Sequence, residues 1–450
     1  MRVIKIKKGL DIPLKGEPAK KIETAGLPAV FAVKPPDFIG VQHKLLVKVG
    51  DRVMAGTAVL HSKTNESIVI SSPVSGEVVD IVRGDKRALL EVRVKSDNTV
   101  DFIKFNDAPS ANPLTNEQII DLLLKSGAWA HIRQRPYDVI PNPKVQPRDI
   151  YISTFDSAPL APDYGFILKG KENYVQAAVD ALVKLTTGKV ILGLNAKASD
   201  NGVFEALNNV ERYYFEGPHP AGNVGVQIHH TKPINKGEVV WYVNPQDLVT
   251  IGRLLVDGVY DASRIIAITG PEVENPLYIK TYLGVSIDGL FKVNRPVEQL
   301  RFISGNVLTG DRIEPNGFLG FYHHQLSVIP EGNYYEFFGW AAPGAKKFSN
   351  SRTFISKLLA KVNFKLDTNY HGAERAYVMS GEYEKVFPFD IYPVSLIKAI
   401  MTNDIDRMEE LGIYEVSSED FALCDFVCTS KIETQQIVRN GLEMLRIEMS

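Results

Sequence analysis

The sequence predicts a multidomain α/β protein, because its 450 residues are too many for one hydrophobic core. Three patterns support this. Residues 1–100 alternate apolar and polar positions, as half-buried β-strands do. From Asp149 strands alternate with helices, and after about residue 345 apolar residues recur at helical spacing. We expect a β domain at 1–100, a Rossmann-like α/β domain at 101–262, a small module with its connection at 263–345 and a helical domain at 346–450.

Within the β domain, residues 44–81 have the pattern of a lipoyl- or biotinyl-carrier domain. In such carriers the modified lysine lies at a hairpin tip, eight residues before the proline of a Ser-Pro-Val segment. Here that proline is Pro73, and the lysine position holds Asn65. An asparagine amide cannot be acylated by lipoate or biotin, and Lys63 lies two residues out of place. The domain therefore resembles a carrier without its modified lysine, which favours a scaffold or docking role.

The first helix is predicted from its ends. Thr115 and Gln118 form a capping-box pattern, and Gly127 closes the helix. Later segments follow from periodicity. The predicted strands lie at 150–155, 189–194, 212–215, 239–243 and 265–269, and the predicted helices at 173–185, 203–210, 247–256, 354–362, 394–408 and 432–449. Residues 270–312 hold short strand and turn signals that predict a small α+β module.

Composition excludes several classes of protein. A formal net charge of −2 gives no basic surface for nucleic acid. No segment approaches the roughly 20 apolar residues that span a bilayer, and the amino terminus lacks a signal-peptide core, so we expect no export. Two cysteines, Cys424 and Cys428, suit a reducing cytosol, and their spacing predicts a buried reduced pair rather than a metal site.

Dinucleotide chemistry lacks its usual motif. The loop after residue 155 contains prolines where a Rossmann fingerprint needs glycines, and no phosphate-binding loop occurs in the sequence. The histidine pairs His229-His230 and His323-His324, if they lie on strands, point to opposite faces and do not predict a metal site. The loop 217–225, with His219, fits either a ligand rim or a rigid interdomain turn.

The segment 129–138 is rich in aromatic rings and guanidinium groups. These groups suit a planar quinone, whose carbonyl oxygens accept hydrogen bonds. A salt-bridged surface loop accounts for the same residues, and residue chemistry alone favours that simpler interpretation.

Longer motifs carry a resemblance that covers nearly the whole chain. They are Lys7-Lys-Gly-Leu-Asp-Ile-Pro13, Ser72-Pro-Val-Ser-Gly76, Arg133-Gln-Arg-Pro136, Gly217-Pro-His-Pro-Ala-Gly222, Phe318-Leu-Gly-Phe-Tyr322, Gly339-Trp-Ala-Ala-Pro-Gly344, Thr368-Asn-Tyr-His-Gly372 and Glu419-Asp-Phe-Ala-Leu-Cys-Asp-Phe-Val-Cys428. With them the chain resembles the A subunits of bacterial sodium-translocating NADH:quinone oxidoreductases. The resemblance implies a fold related to the flavin subunit of respiratory complex I and to the C subunit of the Rnf complex, with a β-grasp-like module near 270–312.

Those relatives carry a glycine-rich flavin loop and cysteine cluster motifs that this sequence lacks, so FMN and iron–sulfur clusters are not expected in this chain. The resemblance implies a peripheral subunit on the cytoplasmic face of the inner membrane, held by membrane subunits within a six-subunit assembly (partners B to F). It implies no covalently bound cofactor, no catalytic residue and no metal ligand in this chain. Ubiquinone or menaquinone is the expected quinone, and the candidate contacts are Lys34, Asp37, Phe38, Arg133, Arg135 and Tyr137.

Two other functions compete with this one. A stand-alone soluble oxidoreductase using NADH or flavin would need nucleotide affinity, and the missing glycine loops argue against it. An acyl- or biotinyl-carrier protein would need a modified lysine near Asn65, and that asparagine argues against it.

Overall fold

The computed structural model describes residues 3–27, 29–105, 114–198, 201–339, 343–351, 353–358 and 362–449. Numbered in chain order, the strands are β1 Val3–Lys5, β2 Ala19–Thr24, β3 Val30–Val33, β4 His43–Leu45, β5 Arg52–Val53, β6 Ala58–Ser62, β7 Val69–Ser71, β8 Gly76–Arg83, β9 Leu89–Ser96, β10 Ile132–Arg135, β11 Ile150–Ser153, β12 Val190–Asn195, β13 Glu211–Glu216, β14 Val240–Val243, β15 Ser263–Thr269, β16 Leu277–Tyr282, β17 Leu300–Ser304, β18 Asp311–Ile313 and β19 Gln325–Pro330. The helices are α1 Asn116–Ser126, α2 Tyr164–Ile167, α3 Glu172–Leu185, α4 Val224–Thr231, α5 Pro245–Asp257, α6 Tyr383–Val386, α7 Pro393–Met401, α8 Ile405–Glu410, α9 Ala422–Val427 and α10 Thr434–Glu448.

The amino-terminal β domain consists of two small antiparallel sheets. One has the strand order β3-β9-β8-β5 and the other β4-β6-β7. Their fully buried valines, among them Val59, Val78 and Val94, form part of the largest core cluster. Asn65 lies between the hairpin strands β6 and β7, where its Oδ1 accepts hydrogen bonds from the backbone N–H and the hydroxyl of Ser67. The position of a carrier's lysine therefore holds a residue that shapes the turn.

Strands β1 and β2 pair outside this β domain, although the sequence pattern predicts that residues 1–100 belong to it. β1 runs parallel to β13 at the edge of the α/β sheet, and β2 runs parallel to β16 at the edge of the second large sheet. Every residue of β2 is exposed, which gives the strand no alternating pattern that would identify a partner face. The short chain before residue 25 is thus tied to two other parts of the molecule.

The α/β sheet has the strand order β1-β13-β12-β11-β14-β10, with only β10 antiparallel to its neighbour. Helices cover both of its faces. Ile150 and Leu192 belong to the main core with α3 and α5, whereas Tyr151 and Ile191 pack against α4. Such alternation is what a parallel sheet buried on both faces requires.

Local signals located several helices correctly. Thr115 caps α1 through a complete capping box, and Gly127 ends it in the left-handed conformation, as predicted. One prediction in this domain was wrong. Residues 203–210 form only a 3-10 turn at Gly202–Phe204, and the chain then turns through Asn209 at φ 61°. His229 and His230 lie on the helix α4, so the argument from opposite strand faces does not apply to them.

The second large sheet has the strand order β18-β17-β19-β15-β16-β2 and follows the α/β domain. The carboxy-terminal part packs α7, α9 and α10 around buried residues such as Leu396, Cys424 and Val438. The predicted helix at 394–408 is interrupted, because Asn403 adopts φ 55° and Asp404 begins α8 by accepting a hydrogen bond from Arg407 N at 3.0 Å. The prediction of a helix at 354–362 lies partly outside the described residues, which show a 3-10 turn at Ile355–Leu358.

Candidate functional site

A cavity of about 610 Å³ lies at the carboxyl ends of β11 and β14. The strand order reverses between these two strands, since β12 and β13 follow on one side of β11 and β14 lies on the other. In open α/β sheets this reversal leaves a crevice in which ligands bind. Ser153 and Phe155 line the cavity from β11, and Tyr242 and Asn244 line it from β14.

Two further parts of the molecule close this cavity over the α/β sheet. Asn306 and Thr309 contribute from the second sheet, and Glu419 and Gln435 contribute from the helical part. The cavity thus depends on the packing of elements that lie far apart in the sequence. Its lining also includes Arg133, so one of the predicted site residues faces it.

Arg133 is held on the antiparallel edge strand β10 by charge and by aromatic rings. Its Nη2 lies 2.6 Å from Asp138 Oδ2, and its guanidinium lies 4.5 Å from the Tyr322 ring centroid and 5.5 Å from that of Tyr242. Burial alone would raise the pKa of Asp138, but the charges of Arg133 and Arg135 lower it, so this carboxylate stays ionised. The guanidinium of Arg133 is therefore held in one orientation in the cavity wall.

Lys34, Asp37 and Phe38 lie behind this wall. The Lys34 Nζ is 3.6 Å from Asp37 Oδ1, and Asp37 Oδ2 accepts a hydrogen bond from Phe321 N at 2.7 Å. The Phe38 ring is only 2% exposed and lies edge-on to Tyr322, with 6.0 Å between centroids. Tyr322 therefore contacts both predicted groups, with Phe38 on one side and Arg133 on another.

Arg135 and Tyr137 contact the helical part of the chain. The Arg135 side chain has no exposed surface, and its guanidinium lies 2.8 Å from Asp420 and 2.6 Å from Glu419. Tyr137 packs edge-on against Tyr414 with 6.3 Å between ring centroids. Their contacts join β10 and its following turn to the carboxy-terminal helices.

The cavity lining includes His219, whose loop the sequence offered as a ligand rim, and His323 and His324, which the sequence did not assign to a site. Gln246 is fixed by hydrogen bonds with both backbone groups of Ile265, and its Nε2 donates to His324 Nδ1 at 2.8 Å. The proton of neutral His324 is therefore on Nε2, and burial lowers its pKa to about 3. Burial likewise lowers the pKa of His219 to about 4 and lowers that of His323. These rings provide hydrogen-bonding groups without positive charge.

Carboxyl groups dominate the remaining charge of the lining. Burial raises the pKa of Asp156, Glu419 and Asp425, because the charged form of each carboxyl group is poorly solvated there. Such a surface disfavours an anionic ligand such as a pyrophosphate. It accommodates a neutral, polar ring more readily.

Metal-binding clusters and membrane-spanning helices are both absent from the described ranges. Among these residues, no three His, Cys, Asp or Glu side chains are grouped so as to hold a metal ion. Within the same ranges, no helix has both the length and the apolar character needed to cross a membrane.

Fold and site define a multidomain α/β protein, and comparison with known proteins specifies it further. Three family models match: the NqrA N-terminal barrel-sandwich hybrid domain at residues 4–97, the NqrA second alpha/beta domain at 114–260 and the NQRA C-terminal domain at 265–314. The first match agrees with the lipoyl-like β domain predicted from the sequence.

Similar proteins match over nearly their whole length. A protein of Rhodopirellula baltica is 39% identical over 99% of this chain and 98% of its own. Proteins of Yersinia pseudotuberculosis and Vibrio atlanticus are 37% and 35% identical over 99% of this chain and 100% of theirs. Each is named as the A subunit of Na(+)-translocating NADH-quinone reductase. The chain belongs to this family, as its sequence motifs indicated.

Proposed function

We propose that this chain is a peripheral component of a redox pump that transfers electrons from NADH to quinone and exports sodium. The observation that carries this proposal is the end-to-end similarity, 39% identity over 99% of the chain, to a relative that bears that name. Its partners would be the other subunits, B to F, chiefly a membrane subunit, and its place the cytoplasmic face of the inner membrane. Catalysis would require the assembled complex, because this chain is not expected to hold a redox cofactor.

The parallel order β13-β12-β11-β14 supports classification as a Rossmann-like domain. We also infer that the second sheet contains a β-grasp-like module and that the fold is related to the flavin subunit of complex I. Helices α3 and α5 on one face of the α/β sheet and α4 on the other are consistent with the Rossmann-like classification.

We further propose that the quinone ring binds in the cavity beside Arg133. The guanidinium and the Nε2–H of His324 are donors for carbonyl oxygens, and Phe155 and Tyr242 offer ring surfaces. Phe38 and Asp37 would act through Tyr322 and Phe321, whereas Lys34 would hold Asp37 in place. Arg135 and Tyr137 would support the site by fixing the adjoining helical part.

A stand-alone NADH- or flavin-dependent enzyme is less consistent with this cavity. Both cofactors carry phosphate, and the carboxyl groups Asp156, Glu419 and Asp425 oppose phosphate binding there. The purified chain should then bind neither nucleotide. A yellow protein or micromolar NADH affinity would favour the stand-alone enzyme.

The proposal of a pump component is tested by purifying the tagged chain from gently solubilised membranes of its host. Membrane-spanning proteins with NADH-oxidising activity should be recovered with it. Recovery of the chain alone would contradict the proposal.

The quinone proposal is tested by photolabelling that complex with a reactive quinone, comparing Arg133→Ala with Arg253→Ala. Arg253 is a matched control, because it pairs with Asp261 at 2.7 Å and lies 5.7 Å from the Tyr174 ring centroid, outside the cavity. Labelling of this chain should fall about tenfold in Arg133→Ala only, as expected for the loss of one charge-assisted hydrogen bond. Equal labelling of the two variants would contradict the proposal that the quinone binds in this cavity.

A further inference from the structure

The histidines of the cavity share one feature, which is that the Nδ1 atom of each ring is held by a polar side chain. The three contacts are Gln246 Nε2 to His324 Nδ1 at 2.8 Å, Ser304 Oγ to His323 Nδ1 at 2.8 Å and Ser157 Oγ to His219 Nδ1 at 3.0 Å. The rings line the cavity, whereas the side chains that hold them lie outside its lining. Each ring is thus oriented from behind the cavity wall.

The direction of the hydrogen bond is fixed most firmly at His324. Gln246 Oε1 accepts from Ile265 N at 3.0 Å, and its Nε2 donates to Ile265 O at 2.9 Å, so the amide cannot be reversed. An amide nitrogen donates and does not accept. His324 Nδ1 is therefore an acceptor, and the neutral ring carries its proton on Nε2.

The two serines impose the same arrangement on the other rings. Each hydroxyl oxygen already accepts a backbone N–H at 2.8 Å, Ser304 from Gly320 and Ser157 from Gly222. Among the described residues the imidazole Nδ1 is the remaining acceptor for each hydroxyl proton. Neutral His323 and His219 consequently carry their protons on Nε2 as well.

The Nε2 atoms of these rings have no hydrogen-bond partner in the described part of the chain. His324 is 5% exposed, and its Nε2 is buried without a partner. The hydrogen bonds of the His323 and His219 rings to described residues are made through Nδ1. A buried donor that stays unpaired costs about 1–3 kcal/mol, so an acceptor atom of a ligand would stabilise this arrangement.

We propose that the ligand of the cavity is bound through a histidine donor set, the Nε2–H groups of His219, His323 and His324. The side chains that orient these rings are positioning residues, because they act on the ligand only through the imidazoles. They are Gln246, Ser304 and Ser157. This assignment rests on the proposed quinone site and specifies its ligand. Neutral donors select an uncharged molecule with acceptor oxygens, as the carbonyl form of a quinone is.

Nitrogen NMR of the purified chain with ¹⁵N-labelled histidine tests the orientation of the rings without any quinone. The signals of His323 and His324 are assigned by their loss in His323→Gln and His324→Gln. Both rings should show a protonated Nε2 and an unprotonated Nδ1 at neutral pH in the wild-type chain. A proton on Nδ1 of either ring would overturn the donor set, whatever ligand the cavity binds.

The contact with the ligand is tested by replacing His324 with glutamine or asparagine in the complex labelled by the reactive quinone. A glutamine amide reaches the position of Nε2 and keeps a donor there. An asparagine amide ends near Nδ1, where its Oδ1 still accepts from Gln246 but no donor remains at the cavity. Labelling of this chain should fall about tenfold in His324→Asn, as expected for one lost hydrogen bond, and stay within about twofold of wild type in His324→Gln.

The same pair of replacements at His323 should give the same result, because asparagine there still accepts from Ser304. His371→Asn is the matched control, since His371 is exposed and lies outside the cavity lining, and it should be labelled like the wild type. Equal losses in the asparagine and glutamine variants would overturn the donor set, because the rings would then contribute packing alone.

Arg133→Ala separates the donor set from the quinone site itself. Reduced labelling in Arg133→Ala, with normal labelling in His323→Asn and His324→Asn, would overturn the donor set and leave the quinone site in place. Normal labelling in all three variants would overturn both.

Discussion

Arg135 is a buried cation that pairs with two neighbouring carboxylates of the helical part. Its guanidinium bridges β10 to Asp420, which has no exposed side-chain surface, and to Glu419 beside it. Asp420 also accepts the backbone hydrogen bond of Ser417 at 2.8 Å in a capping box. A single arginine therefore fixes the helical part against the wall of the cavity.

Replacing Arg135 with methionine should lower the free energy of unfolding by about 3–5 kcal/mol, because Asp420 remains buried without a counter-charge. Urea denaturation measures this. The double variant Arg135→Met/Asp420→Asn should regain much of the loss, since the stranded charge is removed. Arg407→Met, which breaks an exposed pair with Glu410, should cost about 0.5 kcal/mol or less. A similar cost for both single variants would contradict the role of Arg135.

His219 makes stability depend on pH. It is 3% exposed, its Nδ1 lies 3.0 Å from Ser157 Oγ, and burial lowers its pKa to about 4 from the ordinary 6.5. Between these values the unfolded chain binds a proton that the folded chain does not. The stability from neutral His219 is therefore complete above pH 6.5 and is lost as the pH falls towards 4.

His219→Asn should reduce the loss of unfolding free energy between pH 7 and pH 5 by about 2 kcal/mol, measured by urea denaturation at each pH. His371→Asn, at an exposed position, should leave the pH dependence unchanged. An unaltered slope in His219→Asn would mean that this imidazole takes up a proton in the folded chain.

At the scale of single elements, β12 and α4 meet where a side chain would not fit. A Cβ at Gly193 would lie 1.8 Å from Gln227 Oε1, and Gln227 Nε2 donates to Ser153 Oγ at 2.8 Å at the cavity. The glycine in an otherwise apolar strand thus leaves room for the buried amide of Gln227, which donates to Ser153.

Gly193→Ala should destabilise the protein by about 1–3 kcal/mol, the usual cost of overpacking, and should alter the environment of Ser153. Thermal unfolding measures the first effect. Gly26→Ala is the control, because a Cβ there meets no atom within 4 Å. If the two variants unfold at the same temperature, the side chain of Gln227 shifts to make room at no cost in stability.

The sequence predicted those elements whose signals are local. The α1 boundaries follow from Thr115, Gln118 and Gly127 alone, and β12 follows from its apolar run. Helix α4 was missed because residues 224–231 lie beside glycines and carry two histidines, a composition that gives no clear stripe. Arg133 stood out because its segment is rich in aromatic rings and guanidinium groups. Tyr322 contacts it, and His324 lines the same cavity, only through tertiary packing, which spacing along the chain cannot reveal.

At the scale of the whole molecule, residues before β3 act as a tie between distant parts. Ile6 and Ile12 belong to the core of the helical part, and Leu14 packs with Ile303 and Ile329 of the second sheet. A Cβ at Gly16 would lie 2.2 Å from the backbone of Gly270, which shows how closely this segment follows the second sheet. Sequence alone assigned these residues to the β domain because parallel pairing with β13 and β16 is a long-range event.

Deleting residues 1–24 should therefore destabilise the α/β sheet, the second sheet and the helical part, and should leave the stability of the β domain unchanged. The deletion removes β1 and β2 from two sheet edges and exposes the apolar surface that Ile6, Ile12 and Leu14 cover. Hydrogen exchange measures the outcome: amides of β13, β16 and α10 should exchange at least tenfold faster, because each loses packing that contributes more than about 1.4 kcal/mol. Amides of β8 and β9, which pair with each other and with β3 and β5, should keep their protection.

The opposite pattern, with β8 and β9 losing protection first, would mean that residues 1–24 stabilise the β domain instead. Uniform acceleration would instead mean that the parts unfold as one cooperative unit, in which the amino-terminal tie stabilises every sheet equally.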